Sequence, residues 1–216
     1  MWGRGNPKLN LTKQGAEMPN YCTNKLRVSG EISEVKRFRD AITKGELKEW
    51  EQFRILDNLL PTPEELRNTS KGSFGESEKQ QKMEEQNKAN IAKFGYKDWY
   101  DWNCANYGSK WSDFDGVINL DSDGELELAF MTAWSPIVQG VIHISRQFPT
   151  TDFLLTYEEG GMGFMGGVAV RDGELLNSVE GEYPNANCET DEDFDEMYEN
   201  VETIMDLMQG QLEQAF

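Results

Sequence analysis

The chain of 216 residues carries 39 acidic and 21 basic side chains, a formal charge of −18, with 38% hydrophobic residues, which excludes a collagen-like or wholly disordered chain. It has no run of about 18 apolar residues to span a bilayer and no apolar segment after the N-terminus to act as a signal peptide, so a soluble chain of the cytoplasm is expected. Its acidic excess argues against binding duplex nucleic acid over a broad surface, and its 6 Trp, 7 Tyr and 11 Phe are enough to fill a sizeable core.

Residues 1–17 are polar, contain glycine and lack periodicity, so they read as a flexible leader that leaves Trp2 an exposed oddity. Residues 21–28 have strand character, Ser29-Gly30 punctuates them, and a helix over about 33–43 places Val35, Phe38 and Ile42 on one face. Residues 53–60 read as a short strand or extended segment, closed by Pro61-Thr62-Pro63 and a helical turn through Leu66. The almost wholly polar stretch 67–93 predicts a loop leading into an exposed helix, an insertion near 67–95.

Asp121-Ser122-Asp123-Gly124, set between apolar alternations at 116–120 and 125–132, predicts a hairpin. A helix is expected from Pro136, capped by Ser135 and running to Phe148-Pro149. Residues 153–157, 163–170 and 175–179 read as three more strands, the last two joined by a turn at Arg171-Asp172-Gly173-Glu174. This order predicts an α+β fold over residues 18–187, a ferredoxin-like antiparallel sheet with helices on one face.

Residues 188–216 complete the chain as an acidic amphipathic helix. Thr190 is its expected N-cap, with Asp193 closing a shortened capping box. Phe194, Met197, Tyr198, Val201, Met205 and Met208 form an apolar stripe that must bury against the sheet or a partner, either a second copy in a homodimer or a host target. The opposite face carries Glu192, Asp195, Glu196, Glu199, Glu202 and Asp206, spaced by roughly 5 to 6 Å. That separation is comparable to phosphates along one DNA strand, although a solvated amphipathic helix has the same pattern. The helix belongs to a strongly polarised chain: residues 1–110 hold 16 acids and 19 bases, a net of +3, whereas residues 111–216 hold 23 acids and 2 bases, a net of −21. A basic partner would recognise such a negative surface.

Reactive groups are sparse. Cys22, Cys104 and Cys188 are an odd count at unrelated spacings and match no zinc motif, which fits a reducing compartment. The one histidine, His143, falls at the edge of an apolar helix face, where a packing role is expected. Gly161, Gly163 and Gly166 have the spacing of a dinucleotide loop, but the strand-like Val168-Ala169-Val170 follows where that fingerprint needs a helix, so a glycine-rich hairpin is expected. Neither Asp113 with Asp115 nor Asp121 with Asp123 resembles an EF-hand loop. No cofactor, metal site or catalytic residue is predicted. Trp99, Tyr100, Trp102, Tyr107, Trp111 and Trp134, with Lys97 and Lys110 beside them, either pack under the sheet or form a stacking platform for a nucleotide or single strand.

Several segments carry a family resemblance in order: MPNYCTNKLRVSG at 18–30, LLPTPEEL at 59–66, GYKDWYDW at 95–102, YGSKW at 107–111, TAWSP at 132–136 and Phe148-Pro149. Over about residues 18–180 the chain resembles the YubB-type family of phage and plasmid proteins that carry a ferredoxin-like domain. The resemblance implies a small α+β protein of mobile genetic elements and supplies no catalytic residues. The leader before Met18 and the acidic helix after Asn187 stand outside it.

The expected role is therefore that of a non-enzymatic, phage-encoded inhibitor acting in the cytoplasm of the bacterial host. It would bind the basic surface of a host protein, such as a nuclease or another antiviral defence factor, by nucleic-acid mimicry through Asp195, Glu196, Glu199, Glu202 and Asp206. The alternative is a nucleotide or single-strand binding module built on Trp99, Tyr100, Trp102, Lys110, Trp111 and Trp134.

Overall fold

The structure, a computed structural model, describes residues 20–70, 75, 77–184 and 190–216. The expected leader at 1–17, Trp2 and Cys188 lie outside the described residues. Six strands form one antiparallel sheet: β1 (Tyr21–Gly30), β2 (Phe114–Ser122), β3 (Glu125–Ala133), β4 (Thr151–Glu159), β5 (Phe164–Arg171) and β6 (Glu174–Glu182), in the order β2-β3-β1-β4-β5-β6. Alternation in β1 turns Cys22, Asn24, Leu26 and Val28 into the core and Tyr21, Thr23, Lys25 and Arg27 to the other face.

The core face is covered by α1 (Ile32–Ile42) and α6 (Val138–Ser145). Val35, Phe38 and Ile42 of α1 are buried as the periodicity required, and Phe38 meets Phe148 and Phe153 edge to face with ring centroids 5.2 and 5.5 Å apart. Both hairpins fall where the Asp-Gly pairs sit. Asp172 and Gly173 both have positive φ, 49° and 77°, as a two-residue turn between right-twisted strands demands. The glycines at 160–163 link β4 to β5, and a strand follows them.

The linking helices depart from expectation in detail. Residues 53–55 are extended, but α2 (Leu56–Leu59) turns helical because the buried Asp113 carboxylate accepts the Ile55 and Leu56 N–H groups, each at 2.8 Å. A further turn, α3 (Glu64–Arg67), precedes the exposed polar helix α4 (Glu78–Phe94), which is capped by Ser77 and ended by Gly95 at φ 80°. An unanticipated helix, α5 (Trp99–Asn106), starts at Asp98, whose carboxylate accepts the Asp101 N–H at 2.9 Å. Ser135 does not cap α6: its hydroxyl donates to Gly108 O at 2.6 Å, and the helix begins at Val138 rather than Pro136.

The acidic helix α7 (Asp191–Glu213) packs across the opposite face of the sheet, on β4, β5 and β6. Strands β4 and β5 are thereby buried on both faces, whereas among the described residues the same face of β2, β3 and β1 has no helix packed across it. Among the described residues no helix is long and apolar enough to cross a membrane.

Candidate protein-interaction surface

Helix α7 is built as its sequence requires at the N-terminus. Thr190 accepts the Asp193 N–H at 3.2 Å while Asp193 accepts the Thr190 N–H at 2.8 Å, completing the capping box. Its docking is intramolecular. Leu212 packs with Leu154 and Ala169, and Val201 and Met208 pack with Met165. Two strand glycines make this approach possible: a Cβ on Gly167 would lie 2.7 Å from Leu212 Cδ1, and one on Gly181 would lie 2.7 Å from Met208 Cε.

The expected stripe is only partly buried. Val201 and Met208 are buried and Met197 and Met205 half-buried, but Phe194 and Tyr198 are 45% and 56% exposed. Both precede Val201, the first buried side chain described in α7, and Leu212 extends the docking further along.

Docking through that stripe turns Glu192, Asp195, Glu196, Glu199, Glu202 and Asp206 to solvent. Among the described residues no lysine or arginine pairs with Asp195, Glu196, Glu199, Glu202 or Asp206, and the ion pair that anchors the helix is Arg27 with Glu213 near its far end. Between α7 and β1 runs a groove of about 290 Å³, lined by Thr23, Lys25, Thr156 and Glu158 from the strands and by Glu202, Met205 and Asp206 from the helix. Burial raises the Glu158 pKa, the neighbouring Glu202 carboxylate raises it further, and one carboxylate oxygen, Oε2, has no hydrogen-bond partner. Sequence reasoning missed Glu158. The lack of alternation in TDFLLTYEE was the available signal, since a strand buried on both faces carries its polar end into a covered site.

The aromatic residues of the expected platform differ in burial. Trp102 is 9% exposed and lies edge to face against the buried Tyr107, 5.2 Å between centroids, as a core side chain does. Tyr107 in turn shares a 2.9 Å hydrogen bond with the Thr62 hydroxyl. Trp99 and Tyr100 are half-buried at 86° to each other, a T-shaped pair that offers no parallel slot. Trp111 and Trp134 are 37% and 40% exposed, with Lys110 Nζ 4.6 Å above the Trp111 ring.

The remaining polar candidates have packing partners. Asp115 accepts the Trp50 indole N–H at 3.0 Å, Asp121 pairs with Arg39 at 2.8 Å, and half-buried His143 lies 3.1 Å from the Arg146 guanidinium. Among the described residues no three His, Cys, Asp or Glu side chains converge to hold a metal ion.

Residues 106–200 match the family model for the ferredoxin-like domain in Api92-like protein. The match takes in β2 to β6 and continues past Asn187 into α7, so the start of the acidic helix lies inside it. Among solved structures, the chain is similar to the crystal structure of a protein api92 from Yersinia pseudotuberculosis, at 13% identity over 79% of this chain and 100% of that one, with a TM-score of 0.44. No curated protein matches the chain.

Proposed function

We propose that this protein acts by binding, capturing a basic surface of a partner protein on the acidic face of α7. The observation that carries this reading is the docking of α7 on its own sheet, which presents Asp195, Glu196, Glu199, Glu202 and Asp206 together to solvent. A rigid row of like charges costs little further ordering when a partner arrives, and its field steers association. The resemblance to proteins of mobile genetic elements directs the choice of partner to a host nuclease or defence factor, whose phosphate-binding surface the carboxylates would occupy in place of nucleic acid.

Capture from a bacterial host lysate tests this reading. The intact chain should retain a basic protein at about 0.1 M salt and release it near 1 M, where the Debye length falls from about 10 Å to about 3 Å. Reversing the five acids to lysine should abolish retention with the thermal melting transition still cooperative. Undiminished capture by the reversed chain would sink the reading.

A second reading rests on Trp111 and Trp134, which remain exposed with Lys110 beside the first. Such a site would stack a nucleotide or single strand and lose tryptophan fluorescence when either is added. A flat titration with mono- and cyclic nucleotides and with a short single strand removes it.

A further inference from the structure

The sheet ends in two edge strands, β2 and β6, and the chain treats them differently. The edge of β2 is closed: Gly116 O accepts the Gln52 N–H and Gln52 Oε1 accepts the Ile118 N–H, each at 2.8 Å. Strand β6 has no such closure among the described residues. Tyr183 N–H donates to Gly163 O at 2.9 Å on the β5 side, so the alternation of antiparallel pairing turns the N–H and C=O groups of Glu182, Glu180 and Ser178 outward. Asn177 Oδ1 accepts the Ser178 N–H at 2.9 Å, which leaves Glu180 and Glu182 as the open rungs. A row of this kind is a template for another strand.

The two sides of that edge differ in chemistry. On the core side the exposed Glu180 and Glu182 stand next to each other. Glu180 is opposite Gly166, which brings no side chain, and a cavity of about 300 Å³ with Pro136, Tyr157 and Phe164 in its walls opens beside the carboxylate. Such walls suit the aliphatic stem of a lysine or arginine whose charge meets Glu180. On the other side, Met205 and Gln209 of α7 border the β1 groove while Met208 lies against Gly181. At about 3.6 residues per turn, Leu207 therefore falls on the flank of α7 toward the β6 edge, where it is 65% exposed.

Charge selects the occupant. From Glu174 to Glu182 the strand carries three acids and no base. The nearby basic side chains sit at its other end, by the turn into it, where Arg171 pairs with Asp152 and Arg146 lies against Gly173. A second copy brings the same acids to the edge, and acids there oppose self-pairing while admitting a basic strand.

We infer that the outer edge of β6 takes up an extended protein segment as an added strand, one in which lysine or arginine alternates with an apolar residue. Two basic side chains of the segment pair with Glu180 and Glu182, and the apolar residue between them packs against Leu207. The site uses none of Asp195, Glu196, Glu199, Glu202 and Asp206, so it does not rest on the reading of α7.

Fluorescence anisotropy of the full chain with a labelled peptide Thr-Lys-Val-Lys-Val-Lys-Thr tests the inference. Binding is expected at about 0.15 M salt, where a Debye length of about 8 Å screens distant charges. Methylating the backbone nitrogens of the peptide's lysines, which face β6, should abolish binding, whereas methylating those of its valines, which face away, should preserve it. Both peptides keep the same charge and leave the protein unaltered. E180K/E182K should weaken binding at least about tenfold, since two opposite-charge cross-strand pairs become like-charge pairs, and a peptide with glutamate in place of lysine should bind that variant instead. No binding, equal binding by the two methylated peptides, or loss on reversing the five α7 acids with none in E180K/E182K overturns the inference. A dimer of the full chain that the peptide disperses would give the edge to a second copy and overturn it too.

Discussion

Asp113 shows how much one carboxylate can organise. It is fully buried, it accepts two backbone N–H groups at the start of α2, and its own carbonyl takes a hydrogen bond from Arg54 Nη1. Removing it orphans those donors in the core, so Asp113→Ala should lower stability by about 3 kcal/mol in a urea titration, with Asp113→Asn between it and wild type. A loss below about 1 kcal/mol would show that water replaces the carboxylate. Cys22 and His143 make two sharper residue-scale predictions. Burial pushes the Cys22 thiol up to about 12, so iodoacetamide at neutral pH should modify exposed Cys104 and leave Cys22 unmodified until the chain unfolds. Burial, aided by the Arg146 charge, holds His143 below its ordinary 6.5. The folded state therefore binds fewer protons than the unfolded one, and His143 adds stability above pH 6.5 that fades as the pH falls toward the folded value. It is the one histidine, so its single imidazole resonance must titrate with a midpoint below 6.5, and a midpoint at or above that value refutes the assignment.

At the scale of elements, the buried side chains of α7 begin at Val201, and its two ends should respond differently to truncation. Leu212 is fully buried against Leu154 and Ala169, so Leu212→Ala should cost about 2 to 4 kcal/mol. Phe194 is 45% exposed, and Phe194→Ala should stay within about 0.5 kcal/mol. Equal losses from both would mean that the N-terminal turns dock as well. The sequence shows the helix and both of its faces through local rules, namely a capping threonine and a 3.6-residue period. It also contains the docking site in less obvious form: β3 alternates as Glu-Leu-Glu-Leu, whereas β4 reads Phe-Leu-Leu-Thr-Tyr without alternation because helices cover both of its faces. Features that depend on distant pairs were not legible. Nothing near residue 55 shows that Asp113 will turn 56–59 helical, and nothing near Ser135 shows that its hydroxyl is engaged by Gly108. The interaction face follows the same division, since the acid row is local while Glu158 enters its groove only through the packing of α7 on β4.

For the whole molecule, charge is distributed against stability. A compact body of net −18 repels itself, and the repulsion concentrates on α7, where the exposed acids have few basic neighbours among the described residues. Raising salt from about 0.01 M to about 0.15 M shortens the Debye length from about 30 Å to about 8 Å. The wild-type chain should gain about 1 kcal/mol from this screening, or roughly 2 to 4 °C in Tm for a chain of this size. Reversing Asp195, Glu196, Glu199, Glu202 and Asp206 to lysine adds two charges at each position and brings −18 to −8. Its response to salt should be correspondingly smaller, and its Tm at low salt should equal or exceed that of wild type. That result would identify the acid row as a feature that opposes folding stability, as expected of a surface shaped by binding. Unchanged salt dependence would instead place the repulsion elsewhere and remove the electrostatic ground for assigning α7 a partner.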